Sequence, residues 1–527
     1  MRYFDANCCL GRFNSWNGTQ PITAIELLAA LDHCGIHEAL VVGSLARENY
    51  PTDGNEQVLR LAAGQLRLHP AWVGLPPSCH EMPAPADLLA EMEERGVRAL
   101  FLYPRHYGFA LDDPSLEVLL APFAERRVPV FVCPNGLVGE GASEQTDWPG
   151  VMRICRAFPD LPVIVTENRI MVTQRRLFQA LDACPNLCVD LSALWIYRIA
   201  EFIGEHWGAG RLLFGTALPT RDPAATLGQL QYSDFSPQDL AAVAGGNLRR
   251  LLSWAKAPLP EPEVHFPEPL DELHALARSG GPVAGQGFAC GHGHLGNHYG
   301  SFVAGSTPAQ VVAEMERNGL EQAVVFANTG MNSDEAYGND LVAAAVRQFP
   351  QYFVGLTMVN LNRSPEEIER EMERGWAMGL RGVKTHPHLQ GTDTYGPKID
   401  LFCAFANERR AIALNHDWGN AERMVALCRK YPNACFMTGH TGPEAAKAVK
   451  EVDDLYIGSC PLLSYGYTER LVAEVGAERI IFGSDLTWAP IGWGLGPVLY
   501  ARIPLAAKRQ ILGGNLRRLL ARYGREG

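Results

Sequence analysis

The sequence predicts two tandem (β/α)8 barrels of the TIM-barrel type, one in each half of the chain. Three observations lead there: a long internal repeat, halves of about 260 residues that each suit one closed parallel barrel, and short apolar runs alternating with amphipathic helical stretches. The repeat is clearest near the end of each half. GGNLRRLL stands at Gly245–Leu252 and returns at Gly513–Leu520, 268 residues later. GAGRLLFGTALP, Gly208–Pro219, is echoed at the same offset by GAERIIFGSDLT, Gly476–Thr487. An eight-residue identity with a second match at the same offset is the signature of a duplication.

Earlier segments match more loosely, because loops have changed length. DHCGIHEALVVG (Asp32–Gly43) aligns with ERNGLEQAVVFA (Glu316–Ala327), GVRALFLYP (Gly96–Pro104) with GLRGVKTHP (Gly379–Pro387), and ERRVPVFVC (Glu125–Cys133) with ERRAIALNH (Glu408–His416). The proline-rich run APLPEPEVHFPEP, Ala257–Pro269, separates the halves and reads as a semi-extended linker. The expected division is therefore a barrel over 1–256, a linker over 257–284 and a second barrel over 285–527. In the second half, strands are expected at 287–292, 323–327, 353–359, 382–385, 411–415, 435–438, 455–458 and 479–483. Helices such as 308–318 and 365–378 fall between them. The alternative, an open doubly wound sheet, lacks its Gly-rich phosphate fingerprint after the first strand.

Composition narrows the function. The chain has 527 residues, 47% hydrophobic and 20% charged, with a formal net charge of −12. That balance argues against nucleic acid or an anionic membrane as the main partner. The thirteen cysteines are scattered, mostly in apolar runs, and none forms a CxxC pair. They suggest buried thiols in a reduced cytoplasmic protein. Neither a signal peptide nor a membrane span is expected.

Active sites of such barrels lie at the C-terminal ends of the strands. In the second half, strand one ends in His292-Gly293-His294, and residues two apart on a strand face the same way. Strand four ends at Lys384 with His386 beyond, strand five at His416, strand six at His440 and strand eight at Asp485. Imidazoles and a carboxylate converging on one mouth suit a borderline divalent cation. Each residue alone has a plain structural reading; their order along the strands is what makes the set chemical.

The second half resembles the amidohydrolase superfamily, within it the amidohydrolase-related (family 2) branch. The resemblance rests on GHGHLG (Gly291–Gly296), GVKTHP (Gly382–Pro387), His416, GHTG (Gly439–Gly442), FGSD (Phe482–Asp485) and LGGNLRRLL (Leu512–Leu520). The pattern departs at strand one, where the family usually has an aspartate two places before the first histidine and this chain has Cys290. The resemblance implies one divalent metal, Zn2+ first and Mn2+ second, at His292, His294, His416 and Asp485. His440 and Asp485 would handle protons, while Lys384 and His386 would hold a substrate carboxylate or carbonyl. The reaction it implies is attack of metal-activated water on a C–O or C–N bond of a small carboxylate-bearing substrate. The alternatives are a metal-dependent decarboxylase of an aromatic or muconate-like acid, and a non-catalytic binding or scaffold protein. A two-metal site bridged by a carboxylated Lys384 is a further variant.

The first half keeps the scaffold motif without the ligands. Asn7 and Cys9 stand opposite His292 and His294, Phe101 and Tyr103 opposite Lys384 and His386, Cys133 opposite His416, Glu167 opposite His440, and Ala217 opposite Asp485. An inactive, metal-free mouth is expected, with a different metal site at Cys9, Cys133 and Glu167 as the alternative. Because relatives of the decarboxylase type commonly dimerise, the resemblance also implies an internal pseudo-dimer of the halves, with homo-oligomers as a further option. Arg169, Arg175 or Arg176 of the first half would then reach the substrate carboxylate.

Overall fold

A computed structural model describes residues 1–134, 146–167, 174–460 and 462–524. The chain forms two compact units, Met1–Pro269 and Leu270–Gly527.

The first unit has an eight-stranded parallel sheet in strict sequence order: Phe4–Leu10, Glu38–Gly43, Leu68–Val73, Leu100–Leu102, Val130–Val132, Val163–Val165, Leu187–Asp190 and Leu212–Leu213. Ala6 N donates to Phe214 O and Cys9 N to Leu218 O, each at 2.8 Å, which brings strand one against the last. The strands are short and almost wholly apolar because both faces are covered, by helices outside and by side chains inside. Within the barrel, Phe101 stacks on Phe131 with ring centroids 4.5 Å apart.

The second unit repeats the plan. Its strands are Phe288–Leu295, Leu320–Ala327, Phe353–Gly355, Thr357–Met358, Gly382–Thr385, Ile412–Asn415, Cys435–Thr438, Leu455–Gly458 and Ile480–Ile481, all parallel where paired. The third strand position, expected as one run over 353–359, is divided at Leu356. Phe353–Gly355 pairs with strand two and Thr357–Met358 with the Gly382–Thr385 strand, so the run changes partner midway. Eight strand positions result. Gly291 N to Phe482 O at 2.7 Å and His294 N to Leu486 O at 2.8 Å join the last to the first. Strand eight is shorter than expected, since beyond Ile481 its carbonyls turn to these irregular bonds.

Helix starts follow from local chemistry. Thr307 with Gln310 and Ser364 with Glu367 form capping boxes ahead of helices Pro308–Arg317 and Pro365–Ala377, each satisfying two backbone amides. The repeated GGNLRRLL is explained by its asparagine. Buried Asn247 donates to the carbonyls of Ala209 and Leu212, and Asn515 to those of Ala477 and Ile480, at 2.7–2.9 Å. In each copy one amide pins the C-terminal helix to the entry of strand eight. A buried amide left without these acceptors would cost about 1–3 kcal/mol, which accounts for a motif kept where the chemistry is not.

The stretch between the repeats is tied down at both ends. Arg98, Arg249 and Arg2 donate to the carbonyls of Ala257, Pro260 and Pro262 in the first unit. Helix Glu272–Ser279 belongs to the second unit, where its N-cap Asp271 pairs with the fully buried Lys508 at 2.7 Å. Among the described residues all thirteen cysteines are free, twelve of them buried, and no helix is long and apolar enough to cross a membrane.

Candidate metal centre

Strand one of the second unit carries His292 and His294 on its inward face, both buried. Asp485 comes to them through an unusual backbone. Its φ is +59°, in the left-handed region that non-glycine residues seldom adopt. The turn is held by Asp485 N donating to His292 O at 3.1 Å and by Trp488 N and Ala489 N donating to Asp485 O. The carboxylate thereby lies over the histidines, with Oδ1 3.0 Å from His294 Nε2 and 3.5 Å from His292 Nε2. Strained backbone of this kind clusters at functional sites.

The trio fits a metal ion. Ligand atoms of a tetrahedral zinc shell, at about 2.0–2.2 Å from the ion, stand roughly 3.3–3.5 Å from one another, close to the two separations here. His292 Nδ1 and Nε2 and His294 Nδ1 are buried and have no hydrogen-bond partner. Buried polar atoms are ordinarily paired, so these nitrogens are donor atoms in want of an acceptor. Burial pushes both histidines below their ordinary pKa, favouring the neutral imidazole a cation needs. Burial also opposes charge on Asp485, but the His294 hydrogen bond and the neighbouring imidazoles outweigh it and hold the carboxyl below its usual range. Among the described residues this is the only group of three or more His, Cys, Asp or Glu side chains with metal-ligand spacing.

The remaining expected residues surround the trio. Lys384 is fully buried, and burial pushes its ammonium well below the ordinary range. Its Nζ meets His416 Nδ1 and lies 4.8 Å from the Phe326 ring centroid. His416 thus stands outside the trio, its ring 4.9 Å from that of His292. His386 stacks on His416 at 3.7 Å. His440 lies 4.6 Å from the His416 ring and 5.7 Å from His292. Two motif glycines make room for this crowd. A Cβ at Gly439 would come within 2.7 Å of the His416 ring, and one at Gly483 within 3.0 Å of His292 Cβ. Arg175 and Arg176 are exposed in the first turn of helix Gln174–Ala183, and Arg169 lies outside the described residues.

The departure at strand one has a structural equivalent. Cys290 Sγ accepts from Ser484 N and lies against Ser484 Oγ, both at 3.2 Å, clamping strand one to strand eight. The first unit makes the same clamp with Asp5, whose carboxylate accepts from Thr216 N, Thr216 Oγ1 and Asn7 N. Burial raises Asp5 to about 6 and Asp190 to about 7. Because these folded values lie above the unfolded one, their stabilising contribution is complete at low pH and is lost as pH rises through about 6–7. Asp5→Asn should therefore gain stability relative to wild type between about pH 4 and 6. Urea midpoints across that range that stay parallel for the two proteins would contradict this.

Where the second unit gathers potential ligands, the first holds an ion pair. Arg47, from the short helix Ser44–Glu48, grips Glu167 with two hydrogen bonds, Nη1 to Oε1 at 2.7 Å and Nη2 to Oε2 at 2.5 Å. Both residues are buried. The carboxylate of the alternative site with Cys9 and Cys133 is thus engaged by a guanidinium, and burial pushes the Cys9 thiol up to about 12. Ala217 keeps the left-handed φ, +57°, of its counterpart Asp485. The turn survives without its carboxylate. Arg47→Met would take from buried Glu167 the guanidinium that grips it and should destabilise the first unit by about 3–5 kcal/mol. Adding Glu167→Gln should recover most of the loss; equal urea midpoints for the single and double variants would contradict the pairing.

Sequence reasoning missed Arg47, His298, Cys460 and Trp488. Arg47 meets its partner across 120 residues, a distance no local motif reveals. Trp488 does carry a signal, three places after Asp485. Its ring stands 6.0 Å from His294 and 4.2 Å from His298, and its Nε1 donates to Asn328 Oδ1 at 2.7 Å.

Comparison with known proteins adds the family. Solved structures similar to this chain include 5-carboxyvanillate decarboxylase from Sphingomonas paucimobilis, with 16% identity over 45% of this chain and 99% of that one and a TM-score of 0.38. Others are 2,6-dihydroxybenzoate decarboxylase from Rhizobium (15% identity, 45% and 98% coverage, TM-score 0.36) and an uncharacterized TIM-barrel protein from Bordetella bronchiseptica (19%, 42% and 84%, 0.35). A search of curated proteins finds no match. The family model described as Amidohydrolase matches residues 49–254 and 298–522. One segment falls in each unit, together they span most of the chain, and the protein belongs to the amidohydrolase family as a tandem pair.

Proposed function

We propose that the second unit is a divalent-metal-dependent hydrolase acting on a C–O or C–N bond of a small carboxylate-bearing substrate. The observation that carries this is the trio His292, His294 and Asp485, with buried histidine nitrogens left unpartnered. These three would hold the ion, Zn2+ by the chemistry of the donor set, with Mn2+ as the alternative. When bound, it would polarise a substrate oxygen and lower the pKa of a water toward about 7.

The chain's own residues supply the rest. His440 donates Nδ1–H to the Cys460 carbonyl at 2.8 Å, since a carbonyl can only accept. Its Nε2 therefore keeps a lone pair in the neutral ring and can take or return a proton. Lys384, fully buried, meets His416 Nδ1 and fixes the His416 ring. His386, stacked on that ring, completes a wall of imidazoles on one side of the mouth.

A second reading is decarboxylation of an aromatic or muconate-like acid. Trp488 favours it, because its partly exposed ring stands 6.0 Å from that of His294 and offers a flat face that suits a planar ligand. Incubating the metal-loaded chain with a panel of aromatic, muconate-like, ester, lactone and amide acids separates the two. Acid release without carbon dioxide supports hydrolysis, and carbon dioxide evolution with proton uptake supports decarboxylation. Turnover that persists unchanged after complete metal removal would overturn both.

A further inference from the structure

Asn328 directly follows strand two of the second unit (Leu320–Ala327) and is fully buried. Its side-chain amide joins three strand ends. Trp488 Nε1, which can only donate, bonds Asn328 Oδ1 at 2.7 Å. That contact settles which way the amide faces. Its Nδ2 donates to the Gly296 carbonyl at 2.7 Å and to Thr487 Oγ1 at 3.4 Å. Thr487, also buried, passes the link on, its hydroxyl donating to the His294 carbonyl at 3.1 Å. Side-chain bonds thus run from the end of strand two, through the turn after strand eight, to a histidine of the trio on strand one.

The turn needs such a hold. Asp485 has φ +59° and Thr487 φ +66°, a left-handed conformation that is hardest on a β-branched residue. Backbone of this kind persists only where its surroundings fix it.

The first unit separates scaffold from site. Its joint between strands one and eight is the same: Cys9 N donates to Leu218 O as His294 N does to Leu486 O, each at 2.8 Å. The asparagine that pins the C-terminal helix is also kept in both units. The bonds of Asn328 are not. Ser44, Pro219 and Thr220 stand where the second unit has Asn328, Thr487 and Trp488. The buried Ser44 hydroxyl has no hydrogen-bond partner among the described residues. The first barrel therefore closes without this layer of side-chain bonds, and the layer is present in the unit that holds His292, His294 and Asp485.

We propose that Asn328 is a positioning residue of the metal centre, locking the turn that carries Asp485 onto the strand that carries His294. It touches no reacting atom. It keeps Asp485 Oδ1 within ligand distance of both imidazoles before an ion arrives, so that binding does not have to order the turn. The inference rests on the reading of His292, His294 and Asp485 as a metal centre.

The test uses the full chain, stripped of metal and titrated with Co2+, as wild type, Asn328→Ser, Thr487→Val and the double variant. Asn328→Ser installs the first unit's residue, and Thr487→Val removes only the hydroxyl link while keeping the branched shape. Each should weaken Co2+ about tenfold and shift its visible absorption bands, on the scale of outer partners of metal ligands. Because both act through one chain of bonds, the double variant should bind within about threefold of the weaker single one. Thermal unfolding of the metal-free proteins reads the fold separately, and Thr487→Val carries the test if Asn328→Ser does not fold. Wild-type Co2+ affinity and spectrum in both variants, whatever their melting temperatures, would reduce Asn328 to a structural residue and overturn the proposal. Effects that multiply in the double variant would overturn the route through Thr487. A wild-type chain that takes up no Co2+ overturns the metal reading itself, a distinct result.

Discussion

Replacing His440 by alanine should lower turnover about 10²–10⁴-fold while leaving the metal content unchanged, the scale set by loss of a positioned general acid or base. The geometry separates the two effects. His440 is not one of the trio at ligand spacing. Its Nδ1 is committed to the Cys460 carbonyl, and its ring stands 5.7 Å from His292 and 4.6 Å from His416. A proton-transfer role therefore predicts a fall in kcat with the ion still in place. Elemental analysis alongside turnover decides. Loss of metal from His440→Ala would make His440 a ligand and point to a two-metal site.

Asp485→Ala should act on both quantities, stripping most of the metal and abolishing measurable turnover. Asp485 Oδ1 alone approaches both histidines, at 3.0 and 3.5 Å, so its removal takes away the one carboxylate of the trio. The fold should survive. Ala217 already occupies the same left-handed turn in the first unit, at φ +57° against +59°. A variant with an unchanged melting profile and lost metal would match this; one that keeps full metal content would show that the ion lies elsewhere.

Much of this architecture was legible in the residues. GGNLRRLL marked the duplication because Asn247 and Asn515 each make two bonds to equivalent carbonyls, and losing them costs stability. Strands such as Gly382–Thr385 and Cys435–Thr438 stood out because turn residues bound short buried runs. His292, His294 and Asp485 were legible by their places at strand ends. The split at Leu356 was not, since a change of pairing partner leaves no trace in local pattern. Nor was Arg47, whose partner lies in another strand loop, nor the contact of Lys384 with His416, which depends on two strands standing side by side. Cys460 escaped notice because it acts at His440 through a backbone atom, which any side chain would also supply.

We propose that this tandem protein carries its metal in the second unit alone, on His292, His294 and Asp485. Elemental analysis of the full chain after loading and desalting decides this, with a His292→Ala/His294→Ala variant measured alongside. The expected result is close to one divalent ion per wild-type chain and almost none in the variant, with the first unit's Arg47–Glu167 pair holding no ion of its own. Two ions per wild-type chain, or an ion retained in full by the variant, would contradict it.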